Sequence, residues 1–410
     1  MQATPRSLRL HIGLFGRRNV GKSSLLNAIT RQQVSIVSAQ AGTTTDPVEK
    51  PMELLPLGPV QFVDTAGVDD EGALGELRIA RTRTVLDRVD LGLIVTEAGA
   101  WGEFERALLE ELKGRKVPVL VVFNKADLRV PTPVDSSLAE AAGALPVAVS
   151  SLTGEGLAAL RAGLLQLAPA NFFDNQRLVA DLVPPGEVAI LVVPIDKEAP
   201  KGRLILPQVM TIRDLLDAEA MAMVVQEREL KQALDRLKTP PALVVTDSQA
   251  FLKVAADVPK GIPMTSFSIL MARFQGNLAE QVRGTLGIEQ LRGGDSVLIA
   301  ETCAHHPVGE DIGRVKIPRW LTQYVGAKVN FAHVQGRDFP LDLSPYRLVI
   351  HCGNCTGNRK EMSSRIQRCR EAGVPITNYG LTIAYSLGVF ERALVPFPEA
   401  RQAYEEMRTT

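Results

Sequence analysis

The sequence predicts an α/β protein in three parts: an N-terminal domain of alternating strands and helices, then two smaller α/β domains with mainly parallel sheets. Three observations lead there. Apolar runs of strand length recur from the first residues onward, each ending in loop-forming residues. Stretches with helical spacing lie between them, and new sets of such runs begin near residues 177 and 261. Strands separated by helices form parallel βαβ units, which bring ligand-binding groups to the carboxyl ends of the strands. The expected domains are residues 1–170, 177–260 and 261–410.

At 410 residues the chain is too long for one ordinary core. With 45% hydrophobic and 22% charged residues it reads as globular, not disordered or coiled-coil. Forty-six basic residues balance forty-six acidic ones, so charge makes no case for nucleic acid or membrane as the main partner. The start, MQATPRSLRLHIGLFG, has no apolar core followed by a cleavage site, and no membrane-length apolar run appears. A cytoplasmic location is therefore expected. The four cysteines, Cys303, Cys352, Cys355 and Cys369, all lie in the last third. That distribution suits a reducing compartment and a local thiolate site, not a disulfide framework.

Element by element, LRLHIGLFG reads as a strand and SSLLNAITRQ as the helix after it. VQFVDTAG, LGLIVTEAG, VPVLVVFNKAD and LPVAVSS are further strands, and GLAALRAGLLQLAPA is the closing helix. In the middle part, EVAILVVPID is a strand, PKGRLILPQ a turn and strand, and TIRDLLDAEAMAMVVQERELKQALDRL helical, before the strand PALVVTDS. In the last part, SVLIAETC and YRLVIHCGNC are strands ending in cysteine. The amphipathic helix NRKEMSSRIQRCREAG follows the second. No tandem repeat is visible.

Gly16-Arg17-Arg18-Asn19-Val20-Gly21-Lys22-Ser23 follows the first strand and opens a helix. This is a phosphate-binding loop. Gly16 and Gly21 let backbone N–H groups wrap phosphates, Lys22 neutralises the β and γ oxygens, and Ser23, followed by Ser24, supplies a hydroxyl for Mg²⁺. Asp64-Thr65-Ala66-Gly67 ends another strand, where Asp64 can hold Mg²⁺ through water and the Gly67 N–H can contact the γ-phosphate. In Asn124-Lys125-Ala126-Asp127, a carboxylate can accept from N1 and the exocyclic amine of guanine, which adenine lacks. Ser150-Ser151-Leu152-Thr153-Gly154 would place donors near the guanine O6. Four motifs in this order select GTP, and the first domain reads as a P-loop GTPase. Gly42-Thr43-Thr44-Thr45-Asp46 reads as a switch loop, with Thr44 the expected ligand to Mg²⁺ and Thr43 second.

The switch sequence and Asn19 resemble the TrmE/MnmE-like, tRNA-modification branch of P-loop GTPases. By that resemblance Asn19 helps hold a potassium ion that replaces an arginine finger. Val68 stands where Ras-like enzymes carry glutamine and cannot orient water, so slow, potassium-stimulated hydrolysis is expected.

Cys303-Ala304-His305 ends one strand and His351-Cys352-Gly353-Asn354-Cys355 another. On a parallel sheet both loops emerge at one edge. Three thiolates with nearby histidines form a soft-ligand site for an iron–sulfur cluster or zinc, and a thioredoxin-like pair is a third reading of the C-x-x-C. His305 and His351 are candidates for a fourth ligand. Cys369, mid-helix, reads as packing, and His306 and His333 as ordinary polar residues.

The whole chain resembles the FeFe-hydrogenase maturation GTPases, the HydF family. The resemblance rests on the domain order, the C-x-H…H-C-x-x-C pattern, KGRLILPQVMTIRDLLD and TSFSILMARFQG. It implies a scaffold or carrier that completes a transient two-iron subcluster and delivers it to apo FeFe-hydrogenase. Two radical-SAM maturases, HydE and HydG, would supply the precursor. It further implies a homodimer formed by the middle domain and a 4Fe–4S cluster on Cys303, Cys352 and Cys355, with GTP hydrolysis gating partner contacts. The alternative is a tRNA-modification-type GTPase with structural zinc. The balanced charge and the absence of a basic stripe speak against it.

Overall fold

The structure is a computed structural model describing residues 4–30, 47–65, 82, 84–169, 172, 177–194, 204–303 and 311–409. The chain divides into two compact units, Met1–Asn175 and Gln176–Thr410.

The first unit holds a six-stranded sheet: β1 (Leu10–Phe15), β2 (Val48–Leu54), β3 (Gly58–Asp64), β4 (Leu91–Glu97), β5 (Val119–Asn124) and β6 (Leu145–Ala148). Its order is β2-β3-β1-β4-β5-β6. All pairings are parallel except β2 with β3. Because helices cover both faces, β1, β4 and β5 are almost wholly apolar and buried. Successive β1 residues feed opposite cores. Leu10, Ile12 and Leu14 pack with Leu25, Leu26 and Leu160, while Phe15 packs with Val63, Leu109 and Phe123. The antiparallel strand β2 escaped the sequence reading. It is polar, contains Pro51 and sits at the sheet edge, where a missing N–H is tolerated.

The second unit contains two four-stranded sheets. One comprises β7 (Val188–Val192), β8 (Met221–Val225), β9 (Leu243–Thr246) and β10 (Met264–Ser266), in the order β10-β9-β7-β8. The other comprises β11 (Ser296–Glu301), β12 (Asn330–Gln335), β13 (Leu348–His351) and β14 (Ile376–Asn378), in the order β12-β11-β13-β14. Every pairing is parallel. Two expectations change. The apolar run Met221–Val225, expected to be helical, is a strand between helices Leu206–Asp217 and Leu230–Arg236, because it lacks a polar face at helical spacing. Leu204 and Ile205 lead directly into a helix instead of forming a strand. The strand after Gly261, β10, pairs with β9, so the middle sheet runs on to Ser266.

The two sheets are copies of one design. Reading β7 as β11, β8 as β12, β9 as β13 and β10 as β14, the orders are identical. The register agrees as well. The Asp247 N–H donates to Val192 O (3.3 Å) as the Cys352 N–H donates to Ala300 O (2.9 Å). Val244 N–H reaches Pro263 O (3.0 Å) as Val349 N–H reaches Pro375 O (2.9 Å). The shared sequence is sparse: Gly261-Ile-Pro263-Met-Thr265 against Gly373-Val-Pro375-Ile-Thr377 in the last strand, Val225-Gln226-Glu-Arg228 against Val334-Gln335-Gly-Arg337 at the end of the edge strand, and Leu243-Val244 against Leu348-Val349 between them. Elsewhere many apolar residues satisfy the same buried strand, so no tandem repeat shows in the sequence.

The halves share one core that runs from Leu178 to Ala400. Helix Phe267–Gln275, which follows β10, packs on the other half, where a Cβ at Gly353 would lie 3.2 Å from Met271 Cβ. Reciprocally, helix Tyr379–Ser386, which follows β14, contacts Ser248–Ala250.

Candidate functional sites

The phosphate-binding loop leaves β1 at Gly16 and enters helix Lys22–Thr30. Gly16 (φ +143°) and Gly21 (φ +89°) occupy backbone conformations that L side chains rarely adopt. A Cβ would lie 2.2 Å from Val95 O at the first and 2.3 Å from Asn124 Nδ2 at the second. Asn19, also left-handed at φ 62°, is exposed at the loop tip. Lys22 is buried, and its ammonium donates to Gly16 O (2.9 Å) and Arg17 O (2.6 Å), which fixes Nζ inside the loop. Ser23 Oγ donates to Asp64 Oδ2 at 2.7 Å, so the two expected Mg²⁺ ligands from different motifs meet. Ser24 lies beside it in the first helical turn, half-buried. Thr65 anchors the end of β3 by donating from its backbone N–H and its hydroxyl to Leu14 O.

Asn124 ties three motifs together. Its Nδ2 donates to Val20 O (2.9 Å) in the phosphate loop, and its Oδ1 accepts from the Ser151 N–H (3.2 Å) and hydroxyl (2.8 Å). Ser150 is fully buried and donates to Asp127 Oδ1 at 2.5 Å, holding an exposed carboxylate where it can face a base. Thr44, Gly67 and the surrounding switch segments lie outside the described residues.

Two supports were not foreseen. Glu105, buried in helix Glu103–Gly114, accepts from Arg17 Nε at 2.8 Å, and Arg17 also stacks over Phe104. Glu97, at the end of β4, pairs with Lys125 at 2.6 Å. Neither acid belongs to a motif, so only the fold reveals them.

The cysteines are free thiols. β11 and β13 are neighbours, with Ala300 opposite His351, so Cys303 and Cys352 leave adjacent strands at the same edge. Thr302 N–H donates to Cys352 Sγ (3.3 Å), and Thr302 Oγ1 donates to Asn354 Oδ1 (2.7 Å), joining the two loops. Burial, reinforced by Cys352 nearby, pushes the Cys303 thiol up to about 12. Cys355 is likewise raised to about 12 by burial and then by Cys352 and Cys303. The three sulfurs therefore sense one another. Among the described residues, no group of three or more His, Cys, Asp or Glu side chains is already set to hold a metal ion. The donor set nevertheless fits a soft cationic centre: crowded, part-buried thiols beside a backbone N–H gain most when a cation takes up their charge.

His351 is fully buried. Its Nδ1 lies 2.7 Å from Cys352 O and its Nε2 2.8 Å from Arg365 Nη1, so both ring nitrogens are engaged within the protein. Burial first, and then Arg365, lower its pKa to about 3. Arg365 also bonds Glu361 and Gly336 O. His333 contacts Gly313 O at 3.2 Å, and Cys369 is buried in the core against Ile366 and Met362. His305 and His306 lie outside the described residues.

The sheet order, the glycine-shaped loop and the convergent Asn124, Asp127 and Ser150 define the first unit as a P-loop GTPase. A family model described as a 50S ribosome-binding GTPase matches residues 11–125. Two others, the hydrogen maturase F dimerization and tetramerization domains, match residues 178–276 and 279–396 and together span just over half the chain. The chain belongs to the hydrogen maturase F GTPases. Among curated proteins, it is 40% identical over 163 residues to tRNA modification GTPase MnmE of Bordetella avium (strain 197N), covering 40% of this chain and 34% of that one. The MnmE of Nitrosospira multiformis is 34% identical over 159 residues, covering 38% and 34%. The chain thus spans about a third of the length of these relatives. Among solved structures, a point variant of Aquifex aeolicus Era bound to GDP.AlF4- is 21% identical with a TM-score of 0.36, covering 53% of this chain and 93% of that one. Among the described residues, no helix is long and apolar enough to cross a membrane.

Proposed function

We propose that this chain is a scaffold and carrier in FeFe-hydrogenase maturation. In this reading it binds a 4Fe–4S cluster through Cys303, Cys352 and Cys355, and assembles or passes on a two-iron subcluster as cargo. The recipient is apo FeFe-hydrogenase, and the precursor comes from the radical-SAM maturases HydE and HydG, in the cytoplasm. The observation that supports the reading is that Cys303 and Cys352 leave neighbouring strands β11 and β13 at one sheet edge, with Cys355 three residues further on, inside the unit matched by the two hydrogen maturase F models. A cluster bound there would supply an iron open to a further ligand. The chain's part is to hold the loops: Thr302 bridges Cys352 and Asn354, and His351 pins the Cys352 carbonyl. With both nitrogens of His351 engaged, the fourth position is left to another group.

GTP hydrolysis gates partner contacts in this reading. Ser23, Asp64 and Thr44 would hold Mg²⁺ and Asn19 would help hold K⁺, while Lys22 and the Gly67 N–H would stabilise charge on the γ-phosphate. Gly16, Gly21 and Ser24 shape the phosphate cradle, and Asn124, Lys125, Asp127, Ser150 and Ser151 select guanine.

The test is iron, sulfide and zinc analysis of anaerobically purified protein, with EPR after reduction. About four irons and four sulfides per chain with an S = 1/2 signal support the reading. One zinc without iron removes the scaffold role and leaves a GTPase.

A further inference from the structure

We propose that Arg365 is a positioning residue for the cysteine loop. Its guanidinium locks His351 as the Nδ1–H tautomer, and that ring holds the Cys352 carbonyl so that the loop is set to receive a soft metal centre. The inference rests on the reading of Cys303, Cys352 and Cys355 as metal ligands and deepens it by naming what sets their backbone.

The proton on His351 is fixed from both sides of the ring. The side chain is fully buried, with Nδ1 2.7 Å from Cys352 O and Nε2 2.8 Å from Arg365 Nη1. A carbonyl oxygen only accepts, so Nδ1 carries the hydrogen. A guanidinium only donates, so Nε2 is bare. Without Arg365 the proton is free to move to Nε2, which sets the Nδ1 lone pair against the Cys352 oxygen. Arg365 is itself buried and held in place. Its Nη2 donates to Gly336 O and Glu361 Oε1, each at 2.8 Å, and its guanidinium lies over Phe339. Arg365 belongs to helix Arg359–Glu371, which follows Cys355, so its bond to His351 closes the base of the loop between β13 and that helix.

The carbonyl contact completes the fixing of Cys352. Its N–H donates to Ala300 O (2.9 Å), its C=O accepts from His351, and its Sγ accepts from the Thr302 N–H (3.3 Å). Peptide planarity then turns the next N–H, that of Gly353, away from His351. Further round the loop, Asn354 Nδ2 donates to Asn358 O at 3.0 Å, while its Oδ1 accepts from Thr302.

The other half of the duplicated design makes the same contact by simpler means. Thr246 stands where His351 does, opposite Val192 as His351 is opposite Ala300. Its hydroxyl donates to Asp247 O at 3.2 Å. A hydroxyl always carries its hydrogen and rotates to suit the acceptor. An imidazole has two places for one proton, so a histidine in this role needs a fixed donor behind the ring.

The experiment uses the iron-free full chain, with Cd²⁺ as the probe because it reports binding by soft thiolates whether the native centre is an iron–sulfur cluster or zinc. Iron analysis decides the scaffold reading separately. The chain has five histidines, so ¹⁵N-histidine NMR resolves individual rings, and the signal lost in His351→Val identifies His351. Wild type should show His351 with Nδ1–H and a bare Nε2, and Arg365→Gln should let the proton onto Nε2. The Cd²⁺ dissociation constant should rise at least about tenfold in Arg365→Gln. His351→Thr and His351→Val leave the same space, but only threonine returns a donor to Cys352 O. The threonine variant should bind Cd²⁺ at least about fivefold tighter than the valine variant. In the His351→Thr background Arg365→Gln should cost less than about twofold, because no tautomer is left to lock. Four results overturn the proposal: a wild type that takes up no Cd²⁺, a wild-type His351 protonated on Nε2, equal Cd²⁺ affinity in His351→Thr and His351→Val, or an Arg365→Gln loss as large in the His351→Thr background as in wild type.

Discussion

The nucleotide loops and the cysteine loops occupy the same kind of place, the carboxyl ends of parallel strands, but they are held in opposite ways. Around the nucleotide site the protein supplies its own cross-links. Asn124 bonds two other motifs, Ser150 bonds Asp127, and Ser23 bonds Asp64. Around the cysteines the backbone is set by Thr302 and His351, but the Cys303 and Cys355 thiols are pushed up by burial and by their sulfur neighbours. The described part of the first is a cradle braced by its own side chains. The second is a set of donors whose mutual repulsion, once deprotonated, only a cation can relieve.

That contrast is most open to attack through a reciprocal pair of substitutions. Lys22→Ala should lower GTP turnover on the order of 10³-fold, because it deletes the buried cation of the phosphate loop, and should leave bound iron unchanged. Cys352→Ala should strip the iron and leave GTP turnover within about twofold of wild type. Iron analysis and phosphate release on both variants decide the matter, and a full iron complement in Cys352→Ala refutes the ligand assignment.

A smaller effect tests whether the nucleotide loops are cross-linked as described. Asn124→Ala removes bonds to Val20 O and Ser151 and leaves buried partners unmet. The GTPase unit should lose about 1–3 kcal/mol of stability even without nucleotide. A denaturant titration showing no loss would mean that the loops stand without it.

The smallest effect is a pH dependence. His11 is buried in β1, and its pKa is lowered to about 3 by burial despite its contact with Arg6 O. The unfolded chain, titrating near pH 6.5, binds the extra proton first. This contribution is therefore complete above pH 6.5 and declines as pH falls toward 3, by at most about 1.4 kcal/mol per pH unit. Trp101 lies in the GTPase core and Trp320 in the other unit, so Trp101 fluorescence in a Trp320→Phe background follows the GTPase unit alone. A flat profile from pH 6.5 to 4.5 would place His11 in a wetter setting.

Legibility in the sequence followed how tightly chemistry constrains residue type. The phosphate loop, Asp64, Asn124 and Asp127 were readable because a close-packed phosphate, a metal and a guanine each admit few side chains. Strands buried on both faces, such as Leu10–Phe15 and Val119–Asn124, were readable as continuous apolar runs. Met221–Val225 was not, because a short apolar run bounded by helical segments carries no period of its own. Glu97 and Glu105 were invisible because an ion pair needs only an acid somewhere in reach. The duplication was hidden because a shared hydrogen-bond register leaves almost no mark on apolar residues.

The shared core also sets what can be inherited or engineered separately. Helix Phe267–Gln275 grows from the first sheet, yet Ile269, Leu270 and Met271 are fully buried in the core common to both halves. Ending the chain at Gln275 would keep four strands but turn that helix's flank to water, at a cost of several kcal/mol, about 1.5–3 for each large apolar side chain. Two sheets of one design thus share a single core, and one melting transition is expected for both. A substitution that loosens one sheet should therefore lower the stability of the other, thiol loops included.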